Sequence, residues 1–146
     1  MAKTQISHLG SKICVGPDQD EHLLPALGNG TAVPGDACYR DPTTGKLVGS
    51  DIGGAEWFEG ILKESPITGP ETAIVDGIPC SLIVPKSGHR YRVRILDAAA
   101  NKETGSSVII SGTAYKFATT ANIADGCASL SMPYVDDDTV AEVVWK

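Results

Sequence analysis

The sequence predicts an all-β fold, a compact β-barrel or sandwich of short strands with one short helix and an extended N-terminal arm. Its apolar runs are short and rich in Val, Ile and Thr, as strands are. Sixteen glycines and nine prolines punctuate the chain and supply turn signals between the runs. No long window keeps the apolar period of an amphipathic helix, and 146 residues fit one domain.

The densest apolar stretch is residues 72–96. Residues 81–84 are predicted as a strand, residues 85–88 as a tight connection, and residues 91–95 as a strand that alternates apolar and cationic side chains. Successive strand side chains point to opposite faces of a sheet. The predicted core positions are Tyr91, Val93 and Ile95, and the predicted basic row on the other face is Arg90, Arg92 and Arg94. Such a row serves either solubility or a salt-bridged contact with a subunit or partner.

Residues 1–33 are predicted to form the extended arm, because they show no stable periodicity and carry several Gly and Pro turn signals. Their apolar cluster is Leu23, Leu24 and Leu27. An ordered arm lies along the surface or reaches a neighbouring subunit, and the alternative is a flexible terminus. The β domain is then predicted to span residues 34–146.

Turn chemistry predicts the other elements of the domain. In chain order they are a turn at residues 33–36, a strand at 37–40, a hairpin loop at 41–46 leading into 47–48, a strand at 57–62, and a two-turn helix at 97–103 that begins at Asp97 and stops by Gly105.

Three similarities between the halves of the chain suggest an internal repeat at a spacing of about seventy residues. Residues 108–117 resemble residues 37–48, residues 124–130 resemble residues 58–62, and residues 139–145 resemble residues 72–75. Two such strand–turn–strand modules would make a compact barrel or sandwich.

Composition excludes several classes of function. The net charge of −6 and the pI near 4.9 argue against nucleic-acid binding, which depends on clustered Lys and Arg. The cysteines Cys14, Cys38, Cys80 and Cys127 lack zinc-ligand spacing and are predicted to be buried free thiols. Because the N-terminus lacks a secretory apolar region and no run is long enough for a membrane helix, we expect synthesis in a reducing cytoplasm.

No sequence motif indicates catalysis, a cofactor or a metal site. His8, His22 and His89 are far apart, and no serine has the flanking glycines of a nucleophile elbow. The acidic run at residues 136–138 is interpreted as a solvated turn, since a calcium site needs more oxygen ligands in a fixed geometry.

Five short motifs mark the β domain. They are Pro34-Gly35-Asp36-Ala37-Cys38-Tyr39, Thr44-Gly45-Lys46-Leu47, Phe58-Glu59-Gly60-Ile61-Leu62, Val75-Asp76-Gly77-Ile78 and Leu82-Ile83-Val84-Pro85-Lys86. These motifs resemble those of the capsid decoration, or cement, proteins of tailed viruses of bacteria and archaea. The resemblance covers roughly residues 34–145.

The resemblance implies a non-enzymatic virion protein, made in the host cytoplasm, that binds the outer surface of an assembled capsid. It implies the major capsid protein as partner, commonly a homotrimer as the bound form, and stabilisation of the lattice. Many weak contacts repeated around a symmetric trimer give avidity without a strong single site. The candidate capsid or subunit contacts are Leu23, Leu24, Leu27, Arg90, Arg92 and Arg94.

Two other classes of function stay open at this point. A small hydrolase could use Cys80 with His89, if a hairpin brings the two side chains together. A soluble ligand- or glycan-binding β-barrel could line a cleft with the aromatic residues Trp57, Tyr91, Tyr115 or Tyr134.

Overall fold

The structure is a computed structural model, and it describes residues 13–15, 22–50, 58–65, 72–96, 103–111, 115–120, 126–131 and 140–146. These residues contain eleven strands and no helix, so the all-β prediction is confirmed. The strands are β1 (Cys14–Val15), β2 (Leu23–Leu27), β3 (Ala37–Arg40), β4 (Leu47–Gly49), β5 (Gly60–Leu62), β6 (Pro79–Ile83), β7 (Arg90–Arg94), β8 (Ser107–Ile110), β9 (Phe117–Thr120), β10 (Ala128–Leu130) and β11 (Val140–Trp145).

The strands form two antiparallel sheets in a compact, sandwich-like arrangement. The five-stranded sheet has the order β2-β6-β5-β3-β4, and the six-stranded sheet has the order β1-β7-β11-β10-β8-β9. Each sheet also curls, because one parallel bridge joins its distant strands. Leu27 pairs with Lys46 in the five-stranded sheet, and Ile95 pairs with Phe117 in the six-stranded sheet.

Two units of the same topology build the chain. The first unit comprises β2 to β6 and the second comprises β7 to β11, while β1 adds to the edge of the second unit. In each unit the first strand pairs with the fifth, the fifth with the fourth, the fourth with the second, and the second with the third. The two halves of the chain therefore fold in the same way.

The registers of the two units also agree. Every strand pair of the first unit has a pair of the same register in the second. Hydrogen bonds outside the strands repeat as well. The amide of Gly35 donates to the Leu62 carbonyl at 2.8 Å, and the amide of Gly105 donates to the Leu130 carbonyl at 2.8 Å. The predicted repeat is thus present in the backbone.

Two of the three predicted similarities match this structural repeat. Residues 108–111 and 115–117 occupy the places of residues 38–41 and 45–47, and Leu130 occupies the place of Leu62. The third similarity is wrong, because β11 corresponds to β6 and not to residues 72–75. The residues that these two segments share reflect the amino-acid composition typical of strands, and the segments do not pair with equivalent strands in the two units.

The core has two parts, and the five-stranded sheet contributes to both. The first unit encloses a small cluster, and a larger cluster joins the six-stranded sheet to residues on β3, β5 and β6. The small cluster is Ala26, Ala32, Cys38, Leu47, Leu62, Ile74 and Leu82. The residues that the first unit adds to the larger cluster include Ala37, Ile61 and Ile83. Burial of one face of the five-stranded sheet against the second unit holds the two units together.

Within the predicted arm, residues 14–15 and 23–27 form β1 and β2, which are edge strands of the two sheets. Proline is accepted in strands mainly at sheet edges, and Pro25 lies in the edge strand β2. The Val84 amide donates to the His22 carbonyl at 2.8 Å, and bonded positions alternate along a strand. The nitrogen of Pro25 therefore points away from β6, and the strand loses no ladder bond to it. Residues 1–12 and 16–21 lie outside the described residues.

The predicted turns at residues 33–36 and 41–46 and the strand at residues 37–40 are confirmed. Residues 97–102 of the predicted helix lie outside the described residues. The connection at residues 85–88 is also a turn, yet β6 and β7 belong to different sheets. The chain therefore crosses from the first unit to the second at this turn instead of forming a hairpin.

Candidate functional site at the junction of the two units

The junction is built by a turn of the first unit that enters a seam of the second. We define the seam as the place where the last residue of a unit's first strand faces the hairpin between its second and third strands. In the second unit these residues are Arg94 and Tyr115. The Arg94 amide donates to the Gly35 carbonyl at 3.0 Å, and the Ala37 amide donates to the Tyr115 carbonyl at 2.7 Å. Arg94 Nε also donates to the Pro34 carbonyl at 3.2 Å.

A buried carboxyl group lies at this junction. Asp36 is 2% exposed. Its Oδ2 accepts a hydrogen bond from the Val33 amide at 2.8 Å, whereas Oδ1 has no hydrogen-bond partner in the described part of the chain. Burial raises the pKa of Asp36 from 3.8 to about 7, against the opposing effects of the Val33 amide and the cations Arg94 and Lys116. Asp36 therefore changes its charge near neutral pH.

Tyr115, on the other side of the seam, also contacts the first unit and helps to hold the two units together. Its φ of 66° is left-handed, which is uncommon for a residue other than glycine. Its hydroxyl accepts hydrogen bonds from Asn29 Nδ2 at 2.6 Å and from Thr31 Oγ1 at 3.0 Å. Its ring occupies the space beside Gly49, where an added Cβ would overlap the Tyr115 Cδ1 atom. These contacts hold the backbone in a conformation that it would otherwise avoid.

The three arginines of the predicted basic row have different environments. Arg90 is exposed and has its Nη1 atom 4.0 Å from Glu142 Oε2, while Arg92 lies directly opposite Glu142 in the ladder. Arg94 is only 7% exposed. An exposed row of three is therefore wrong, because the Pro34-Gly35 turn covers the end of β7.

The three leucines all belong to β2, at the edge of the five-stranded sheet. Leu24 packs against the small core cluster, and the Leu27 amide donates to the Gly45 carbonyl at 3.0 Å. Leu23 is 40% exposed, so it is the member of the group that presents apolar surface to solvent.

All four cysteines are free thiols, as predicted, and Cys14 and Cys38 are buried, whereas Cys80 and Cys127 are half-buried. Burial raises the pKa of Cys38, and nearby Asp36 and Cys80 raise it further. Burial also raises the pKa of Cys80 and of Cys127 to about 11. These thiols are protonated at neutral pH, the opposite of an activated nucleophile. The hairpin expected to join Cys80 and His89 is absent, since β6 and β7 lie in different sheets.

The aromatic residues expected to line a cleft do not all do so. Tyr91 is fully buried, and its hydroxyl accepts a hydrogen bond from the Lys86 amide at 3.0 Å. Trp57, Tyr134 and the acidic residues 136–138 lie outside the described residues. A separate hollow of about 230 Å³ lies beside β6 and is lined by Lys63, Glu64, Ser65, Pro79, Cys80 and Ser81.

Sequence reasoning missed the junction. The Pro-Gly-Asp motif was interpreted as an ordinary turn, and a solvated turn has the same residues. The only available signal was the repeat, which places Ser106 where the first unit has Asp36 and Tyr115 where it has Gly45. Differences between equivalent positions identify the residues that serve a contact between units.

No known protein-family model matches this chain, and no curated protein sequence is significantly similar to it. Within the described residues, no group of His, Cys, Asp and Glu side chains is arranged to hold a metal ion. No helix in that part of the chain is long and apolar enough to cross a membrane.

Proposed function

We propose that this chain is a non-enzymatic virion protein that binds the outer surface of an assembled capsid, as a homotrimer, and stabilises its lattice. The major capsid protein is the partner, the site of action is the capsid exterior, and synthesis takes place in the host cytoplasm. The proposal extends the resemblance of the five short motifs.

The observation that supports it best is where those motifs lie in the fold. They form the turn before β3, the β3–β4 hairpin, β5, the turn before β6, and the end of β6. Together they are the skeleton of the first unit, and the second unit repeats its register. The resemblance therefore concerns the residues that define the folding unit and not incidental loops. Protonated thiols at Cys38, Cys80 and Cys127 agree with a structural role.

Co-sedimentation with capsids tests the proposal. The purified chain is mixed with expanded capsids made from the major capsid protein of the virus that encodes it. We expect saturable binding at a fixed copy number per capsid, and a rise in the temperature at which the capsids disassemble. Failure of the chain to sediment with capsids at micromolar concentrations would overturn the proposed function.

A matched pair of variants tests the predicted contact on β2. Leu23 and Val75 are both exposed apolar residues, at 40% and 57%. Leu23→Asp is expected to weaken capsid binding at least tenfold, because it places a charge in the contact. Val75→Asp is expected to bind normally. Equal binding by both variants would remove Leu23 from the contact without affecting the broader proposal.

A further inference from the structure

The two units contain the same turn, but only one copy of it is covered. Before β3, Pro34, Gly35 and Asp36 are buried at the junction. Before β8, the corresponding residues include Thr104 and Gly105, which are exposed. The same turn is therefore buried at the junction in the first unit and exposed to solvent in the second.

The two turns have the same backbone conformation. The Asp36 amide donates to the Val33 carbonyl at 3.0 Å, and the Ser106 amide donates to the Glu103 carbonyl at 3.0 Å. Gly35 has a φ of 95°, and Gly105 has a φ of 89°. The turn before β8 therefore has the backbone conformation with which the turn before β3 enters the seam of the second unit.

The first unit has the corresponding seam, formed by Leu27 and Gly45. Leu27 takes the place of Arg94 in the ladder, and Gly45 takes the place of Tyr115. Gly45 has a φ of 73°, close to the 66° of Tyr115. In the single chain this seam is closed by the parallel bridge between Leu27 and Lys46, which includes the hydrogen bond from the Leu27 amide to the Gly45 carbonyl at 3.0 Å.

We infer that copies of this chain associate head to tail, with the exposed turn at residues 103–106 of one copy entering the Leu27–Gly45 seam of the next. This contact between two chains has the same form as the junction that joins the two units within one chain. The Leu27 amide turns from Gly45 to the Gly105 carbonyl of the other copy, and the Ser107 amide of that copy turns from its ladder partner Thr120 to the Gly45 carbonyl. Two hydrogen bonds within chains are thus exchanged for two between chains.

Such an interface uses two different surfaces, so it forms a closed ring only if the rotation between copies closes. A ring of three chains would contain six units joined by six similar junctions, three within chains and three between them. The inference rests on the proposed function only for the number of copies. The interface itself follows from the equivalent turns and seams of the two units.

Molar mass in solution tests the interface, with no capsid present. Light scattering after size exclusion is expected to show the wild-type chain as a multiple of 15.2 kDa. Thr104→Trp places a bulky side chain on the exposed turn and is expected to give monomers. Glu103→Arg reverses the charge of an exposed residue on the same turn and is a second variant expected to give monomers. The matched control is Ser87→Trp, on the exposed turn before β7.

A wild-type monomer at every concentration would overturn the inference. So would an oligomer whose mass Thr104→Trp and Glu103→Arg leave unchanged, or one that Ser87→Trp dissolves equally well. Circular dichroism establishes that each variant is folded. Capsid co-sedimentation is measured separately, so failure of this interface and failure of capsid binding give different results.

Discussion

The first and second units share one strand order and register but fill their cores with different side chains. Leu47 in the first unit corresponds to Phe117 in the second, and Leu24 corresponds to Tyr91. The second unit also packs the ring of Trp145 against Phe117, with their centroids 6.2 Å apart. The comparison shows that turn positions and strand spacing define this unit, whereas the volume of its core can vary.

The edges of the two units differ as well. In the second unit the Arg92 amide donates to the Ile13 carbonyl at 2.8 Å, which helps to dock β1. The first unit has Pro25 at this position, without an amide hydrogen, and the Pro25 carbonyl accepts a hydrogen bond from Arg40 Nη1 at 3.3 Å. Proline at an open edge discourages the addition of another strand.

The largest predicted effect concerns the unequal cores. Phe117→Ala is expected to lower the free energy of unfolding by about 3–5 kcal/mol, because it leaves a cavity at a fully buried position beside the half-buried rings of Phe58 and Trp145. Leu47→Ala, at the equivalent position, is expected to cost about 2–4 kcal/mol. Urea denaturation of both variants gives the comparison. A larger loss for Leu47→Ala would mean that the first unit carries most of the packing energy.

The second prediction concerns the pH dependence of stability that Asp36 gives to the turn before β3, where the turn before β8 has Ser106 instead. The pKa of Asp36 is raised from 3.8 to about 7 in the folded state, so its stabilising effect is fully present below pH 3.8 and is lost as pH rises through 7. The cost of ionising it in place is on the order of 4 kcal/mol, less what relaxation and the nearby cations recover. Asp36→Asn is therefore expected to stabilise the protein by about 1–3 kcal/mol at pH 8 and to change little at pH 4.

Denaturation of the wild type and of Asp36→Asn across this pH range measures the effect. Asp41→Asn is the matched control, because the Asp41 side chain accepts a hydrogen bond from the Thr43 amide at an exposed turn. If Asp36→Asn and the wild type showed parallel pH profiles, Asp36 would be ionised at a low pH despite its burial.

Sequence reasoning predicted the fold class, the first hairpin and the spacing of the repeat, because turn chemistry and alternation are local signals. It did not predict that β2 belongs to a sheet, since Pro25 is acceptable only on an edge and the sequence does not show which strand is an edge. It also placed Arg94 on an open face. That error arose because the Pro34-Gly35 turn buries Arg94, and this contact joins residues that are far apart in the chain.

The third prediction concerns the two hairpins. Tyr115→Phe keeps the ring beside Gly49 but removes the hydroxyl that accepts hydrogen bonds from Asn29 and Thr31. We expect a loss of about 0.5–1.5 kcal/mol in the free energy of unfolding, because the half-buried Asn29 and the exposed Thr31 each lose one of their two acceptors. At the equivalent place, Gly45→Ala meets no neighbouring atom and is expected to cost about 1 kcal/mol from its left-handed φ alone. A neutral Tyr115→Phe variant would show that the ring, and not the hydroxyl, joins the units.

The smallest effect on stability is expected at the edge of β2. Pro25→Val supplies an amide hydrogen that points away from β6, so the change in the free energy of unfolding should stay within about 0.5 kcal/mol. The first unit would then offer the donor that Arg92 offers to β1 in the second unit. We expect the variant to aggregate faster than the wild type at high concentration, as followed by light scattering, because an unpaired apolar edge accepts strands from other molecules. Arg92→Val keeps its amide hydrogen and its bond to Ile13, so it is the control that should show no such increase. Equal aggregation rates for Pro25→Val and the wild type would mean that the Arg40 side chain, and not the proline, protects this edge.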